Sequence, residues 1–153
     1  MKISFDLDGT LIPMGNDQFA TEKQGVFHKL MQVERMRLGT KGAFQQLKAQ
    51  GHEVGIYTTS FRSKGHIRYW LRAYGLKADF IINEQVALPR LQLRNINASK
   101  YPPAFGIDLH FDDQPGLLLE AERYDFKAAL LPAGPLDIQF IMSAVQAPVS
   151  ADL

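Results

Sequence analysis

The 153-residue chain contains no cysteine. That absence removes a disulfide framework and a thiol nucleophile together, and it fits a reducing compartment, so a cytoplasmic protein is expected. Neither sign of charge dominates: the formal net charge is +1, which names no partner by bulk electrostatics. No apolar run approaches the roughly 18 residues that a membrane-spanning helix requires, and no membrane association is expected. Met1-Lys2 leads straight into an apolar stretch, so no signal peptide is expected. Internal repeats, a Gly-rich phosphate loop, zinc-ligand spacing and a Ser/His/Asp pattern are missing too. What remains is an apolar content of 46%, in a chain of a length that suits one domain, residues 1–153, with a core of its own.

The most informative stretch is Phe5-Asp6-Leu7-Asp8-Gly9-Thr10-Leu11. Met1 to Phe5 is short, apolar and partly β-branched, which predicts a buried strand. Two carboxylates follow with one residue between them, and Gly9-Thr10 then breaks the strand. At strand spacing Asp6 and Asp8 point the same way. Acids this close repel unless a cation or a proton lies between them. Parallel sheets bind ligands at the carboxyl ends of their strands. The stretch therefore predicts an acidic, metal-dependent site at the tip of the first strand.

The heptapeptide resembles the opening motif of the haloacid dehalogenase-like superfamily, Asp-x-Asp-Gly-Thr-Leu. The resemblance implies a doubly wound α/β fold, a three-layer sandwich around a mostly parallel sheet. It also implies a Mg²⁺-dependent phosphatase or phosphotransferase. Three further elements follow in the family's order. His52 to Tyr57 predicts a second buried strand, closed by Thr58-Thr59-Ser60. By resemblance, Thr58 binds a phosphoryl oxygen through its hydroxyl and backbone N–H, with Thr59 beside it. Lys100, ahead of Tyr101-Pro102-Pro103, stands where the family has a lysine joining nucleophile and phosphoryl group; Lys64 competes for that role. Only 12 positions separate Lys100 from Asp112, so the helix usual between these two elements is shortened or absent. Ile107 to Phe111 predicts a strand ending in the pair Asp112-Asp113.

The roles implied are these. Asp6 is the nucleophile, and Asp8 the general acid/base. Thr58, Thr59 and Lys100 bind phosphate. Asp6, the backbone carbonyl of Asp8, and the pair Asp112 and Asp113 hold Mg²⁺, with Asp112 the more direct ligand. The family's dehalogenases lack a working acid at the Asp8 position, which points away from halide displacement. A bacterial receiver domain also combines acids, a Thr and a Lys, but in another order. The rival from a different class is a catalytically idle domain that binds Mg²⁺ or a phosphorylated partner.

Between the motifs, residues 13–36 are an insertion too short for a full cap. Pro13, Gly15 and Asn16 mark a turn, Asp17 a helix N-cap, and Phe19, Phe27 and Met31 packing positions. Gly39-Thr40 opens a helix that Gly51 closes. Ile67, Trp70, Leu71 and Tyr74 fall at i, i+3, i+4 and i+7 and predict the buried face of a helix from Ser63. Asp79 to Asn83 predicts a third strand, and 84–101 an irregular stretch around Pro89. After the acidic pair come a helix with Leu117, Leu118 and Ala121 inward, and a strand at 128–131. Last is an apolar run from Ile138 to Val145, between Pro135 and Pro148, that packs on the domain or on a second subunit. Residues 60–100 carry eight basic side chains against Asp79 and Glu84. If that segment borders the site it favours an anionic substrate, such as a nucleotide or a nucleic-acid terminal phosphate.

Overall fold

A computed structural model describes residues 1–15 and 18–147. The Asn16 turn residue, the Asp17 cap and Pro148 lie outside the described residues. Five strands form one all-parallel sheet: β1 (Lys2–Phe5), β2 (Glu53–Tyr57), β3 (Ile81–Ile82), β4 (Leu109–Asp112) and β5 (Ala128–Leu130). Their spatial order is β3-β2-β1-β4-β5. The chain thus winds outward from β1 in one direction, then crosses back and winds in the other. This is a Rossmann-like, doubly wound α/β fold, as the sequence predicts. The order reverses between β1 and β4, and the crevice outside the carboxyl ends of those two strands is where such sheets bind ligands.

Helices cover both faces. On one face α2 (Thr40–Ala49), α3 (Lys64–Ala73) and α6 (Ile138–Gln146) bury Phe44, Leu47, Ile67, Trp70, Leu71 and Ile141 against Ile3, Phe5, Val54, Ile56, Leu109 and Phe111. Those strand residues alternate, so Ser4, Tyr57 and His110 face the other way. There α4 (Glu84–Leu93) brings Ala87 against Tyr57 and Ile82, while α5 (Gly116–Tyr124) packs on β5. The apolar run at 138–145 therefore packs on its own domain. No helix among the described residues is long and apolar enough to cross a membrane.

Four local expectations are corrected. Residues 84–93 are the ten-residue helix α4, with Pro89 inside it. Asn83 caps it by accepting from Val86 N, and Ala87 and Leu91, one turn apart, are buried. Proline's missing donor is tolerated because the cap and the buried stripe hold the rest of the helix. Asp79 is not in β3; its carboxylate accepts from Val54 N (2.8 Å) and Lys48 Nζ (3.0 Å), which shortens the strand to two residues. Leu118 faces out, because i, i+4 spacing brings Leu117 and Ala121 inward and turns Leu118 away. Phe27 and Met31 are 53% and 50% exposed. Phe27 lies on α1 (Val26–Leu30), a five-residue helix with no buried residue, and Met31 is its C-cap.

The insertion is docked by polar contacts instead. His28 Nε2 lies 2.7 Å from Ala73 O, and Gln24 Nε2 donates to Tyr74 Oη. Phe19 is half-buried, with the Arg37 guanidinium 4.7 Å over its ring. Arg37 itself is buried and donates to the carbonyls of Thr10, Pro132 and Gly134. It fastens the end of the insertion both to the turn after β1 and to the loop after β5.

Candidate functional site

Asp6 follows β1 directly, and its N–H continues the ladder by donating to Phe111 O (3.0 Å). The chain then folds into a tight turn in which Leu7 O accepts from the N–H groups of Thr10, Leu11 and Ile12. Gly9 is needed in that turn: its φ is +78°, and a Cβ there would meet Asp113 Oδ2 at 2.7 Å. The turn lies against the end of β4. Thr10 Oγ1 donates to Asp113 Oδ1 (2.8 Å) and Gln114 Nε2 to Asp113 Oδ2 (2.8 Å), which fixes that carboxylate.

Lys100 reaches the same point from the loop before β4. Its Nζ lies 2.5 Å from Asp112 Oδ2 and 3.0 Å from Asp6 Oδ1. The three side chains are almost fully buried. The loop is held on both flanks: Glu120 accepts from Ser99 N and Ser99 Oγ, and Tyr57 Oη accepts from Tyr101 N. Between Lys100 and β4 there is only the single 3₁₀ turn Pro102–Phe105, as the short spacing implies. Lys64, the competing lysine, is the first residue of α3 and does not line the cavity.

Oxygens of Asp6, Asp112 and Asp113 lie within 4.8 Å of one another. Against these three acids stand the Lys100 ammonium and, acting on Asp113, the Arg37 guanidinium, so the cluster keeps net negative charge when ionised. Asp6 Oδ1 is buried and makes no aligned hydrogen bond, for all its closeness to Lys100. An orphaned acceptor within an all-oxygen donor set suits a hard divalent cation.

The electrostatics are sharply graded. Burial pushes the Asp6 carboxyl up to about 6, against the pull of Lys100 and with added repulsion from Asp112. Burial also raises Asp112, but the hydrogen bond from His110 and the charge of Lys100 outweigh it and hold that carboxyl well below the usual range. Lys100 stays above its ordinary value: burial lowers it, and Asp6 and Asp112 more than restore it. Burial pushes the His110 ring down to about 4 despite Asp112 beside it, so the ring is neutral.

Asp6 and His110 therefore impose opposite pH dependences on stability. Folded Asp6 binds its proton more tightly than unfolded Asp6, so it withdraws stability as pH rises from about 4 to about 6. Unfolded His110 protonates below about 6.5 and the buried ring only near 4, so it withdraws stability as pH falls through that window. Each effect is on the order of 3 kcal/mol, and in the unaltered chain they oppose one another. Thermal melts from pH 4 to 6.5 in EDTA compare the unaltered chain with two variants. For Asp6→Asn the Tm should fall on acidification, and for His110→Gln it should rise. Parallel profiles for all three would refute the opposition.

The cavity of about 340 Å³ is lined by Asp6, Asp8, Thr58, Thr59, Lys100 and Asp112, with Ser99, Gln114 and the first turns of α5 closing one side. All the acids, hydroxyls and the lysine expected from the sequence thus meet at one mouth, apart from Asp113, which stands just behind it. One detail differs from the expectation. The N–H of Thr58 donates to Ile82 O (2.9 Å), and its Oγ accepts from Ser60 N. Only the hydroxyl proton of Thr58 is left to meet an anion, because parallel pairing with β3 consumes the amide.

Asp8 is half-exposed, and both its oxygens accept from Arg62 Nη1 (2.9 and 2.8 Å). The other edge of that guanidinium grips Glu34, and His66 Nε2 lies 3.3 Å from the same carboxylate. The hydrogen bonds that Arg62 donates to Glu34 and Asp8 raise its guanidinium above its already high value. The insertion thus reaches the site through one acid, Glu34, that nothing in its sequence context marks. The remaining bases of the 60–100 segment look elsewhere: Arg68, Arg72 and Lys77 line a separate groove, and Arg90 donates to Ala104 O.

Ser4 and His110 are the other side chains not anticipated. Their signal was present: each precedes a site acid by two positions, Ser4-x-Asp6 and His110-x-Asp112, and period two puts each pair on one face of its strand. A comparison of the sequence with protein-family models and with curated proteins finds no match to either.

Proposed function

We propose that this chain is a Mg²⁺-dependent phosphomonoester phosphatase of the haloacid dehalogenase-like type. The observation that carries the reading is the meeting of Asp6, Asp112 and Asp113 oxygens within 4.8 Å, beside the buried Lys100, at the point where the strand order reverses. Lys100 is buried between Asp6 of the turn after β1 and Asp112 of β4, an arrangement that a surface turn with solvated acids does not produce.

In this reading a carboxylate oxygen of Asp6 attacks phosphorus and the bond to the leaving oxygen breaks, leaving an aspartyl-phosphate. Asp8 gives the leaving oxygen a proton and then takes one from the water that cleaves the acyl phosphate, returning free Asp6 and inorganic phosphate. Lys100 and the Thr58 hydroxyl meet charge on the phosphoryl oxygens, with Thr59 at the rim. Mg²⁺, when bound, would be held by Asp6, Asp112 and Asp113 with the Asp8 backbone carbonyl, and would offset repulsion between carboxylate and phosphate. Arg62 sets where Asp8 waits between turnovers, and Glu34 steadies Arg62.

The cavity has room for a phosphoryl group and a small leaving group. Of the basic segment, Lys100 lines the cavity while Arg62 is engaged by Asp8 and Glu34, so a nucleotide or a nucleic-acid end draws less support than a small phosphate ester. One observation favours the rival, an idle domain that binds Mg²⁺ or a phosphorylated partner: Arg62 occupies both oxygens of Asp8. Turnover of p-nitrophenyl phosphate separates the two. Phosphate release is expected with Mg²⁺ and is lost on chelation. Mg²⁺ binding without turnover would leave the rival standing.

A further inference from the structure

Behind the acids runs a second, wholly buried chain of polar groups. Register sets Ser4 of β1 directly against His110 of β4. Ser4 Oγ lies 2.7 Å from His110 Nδ1, and His110 Nε2 lies 3.3 Å from Asp112 Oδ2. Ser4 and His110 have no exposed surface and Asp112 has 2%. With no path for a substrate to Ser4, this is no nucleophilic triad. The partners assign the ring protons. Asp112 can only accept, so Nε2 carries the hydrogen, and Nδ1 accepts from the Ser4 hydroxyl. The reverse tautomer would turn an Nε2 lone pair onto a carboxylate oxygen.

Two polar side chains in the centre of a parallel sheet replace residues that are apolar at most such positions. Their burial is offset only by each other and by Asp112. They also complete the fixing of that carboxylate. Oδ1 accepts from Gln114 N (3.0 Å), and Oδ2 from both Lys100 and His110. Lys100 supplies charge; the neutral ring supplies direction without adding a second cation. We propose that Ser4 and His110 are positioning residues for the cation site, holding Asp112 in the orientation that lets it converge with Asp6 and Asp113. The inference rests on the reading of those three acids as a cation site.

Calorimetric titration of Mg²⁺ into the full chain at one pH tests it, with circular dichroism as the check on folding. His110→Phe keeps a ring against Tyr57 and removes the donor. Its Mg²⁺ affinity is expected to fall about 10- to 100-fold. His110→Gln, whose amide N–H reaches the same oxygen, is expected to bind within a few-fold of the unaltered chain. Ser4→Ala frees the tautomer and should weaken binding several-fold, an effect that vanishes in the His110→Phe background. Equal affinity in the unaltered chain and His110→Phe would overturn the positioning role alone. No Mg²⁺ binding by the unaltered chain would instead sink the cation site itself, and this inference with it. If His110→Phe does not fold, Ser4→Ala decides: unchanged affinity refutes the proposal.

Discussion

Asp6→Asn is expected to lower phosphate release from p-nitrophenyl phosphate by at least about 10³-fold while leaving the Tm at neutral pH unchanged or higher. The carboxamide has the same shape but no anionic oxygen with which to attack phosphorus. Its neutrality also suits the position, because burial already works against the charge there and pushes the carboxyl up to about 6. Lys100 keeps Asp112 as a partner at 2.5 Å, so no unpaired cation is created. Activity and stability should therefore separate. Stopping the unaltered chain with acid during turnover should reveal a phosphorylated form by mass spectrometry, absent from Asp6→Asn. Turnover by Asp6→Asn within tenfold of the parent would exclude covalent chemistry at this residue.

The largest stability effect is expected from Lys100→Met. The ammonium lies between two carboxylates, all three nearly out of reach of water. Removing one member of a buried ionic group leaves the others uncompensated, at a cost of roughly 3–5 kcal/mol. For a domain of this size that is a fall in Tm of roughly 6–20 °C. The sign follows from what remains: methionine fills the volume, but Asp6 and Asp112 then face each other with no cation. The double variant Lys100→Met/Asp6→Asn should recover much of the loss, since it removes one of the opposed charges. Lys64→Met at the start of α3 is the control and should stay within about 0.5 kcal/mol of the parent. Differential scanning calorimetry in EDTA reads all of these, and equal melting of the two lysine variants would remove Lys100 from the site.

Much of this arrangement was legible in the sequence because strand-end chemistry is local. An apolar strand followed by Asp6-Leu7-Asp8-Gly9-Thr10 states its own geometry, and so does an apolar strand ending in Asp112-Asp113. Lys100 was legible by order, although its spacing from Asp112 is short. What could not be read depends on contacts between distant segments. Arg62 and Glu34 meet only because the insertion folds back over the start of α3. α4 was hidden by Pro89, since a local rule for proline takes no account of Asn83 capping the helix or of Ala87 and Leu91 burying its stripe. Phe27 and Met31 looked like packing residues, yet α1 is too short to bury a face and is docked by His28 and Gln24 instead. Ser4 and His110 were passed over as ordinary strand residues because each gains its meaning only when β1 and β4 lie side by side.

The sheet order also has a consequence in time. β1 is synthesised before β2 and β4 but takes its place between them, and Ile3 to Phe5 find their second neighbour only at Leu109 to Phe111. The clamp from Arg37 closes later still, on the carbonyls of Pro132 and Gly134. A ribosome must therefore release the polypeptide past residue 112 before the aspartate at position 6 gains the company of Lys100 and Asp112. Until then the nascent chain holds that carboxylate with its surrounding centre still incomplete.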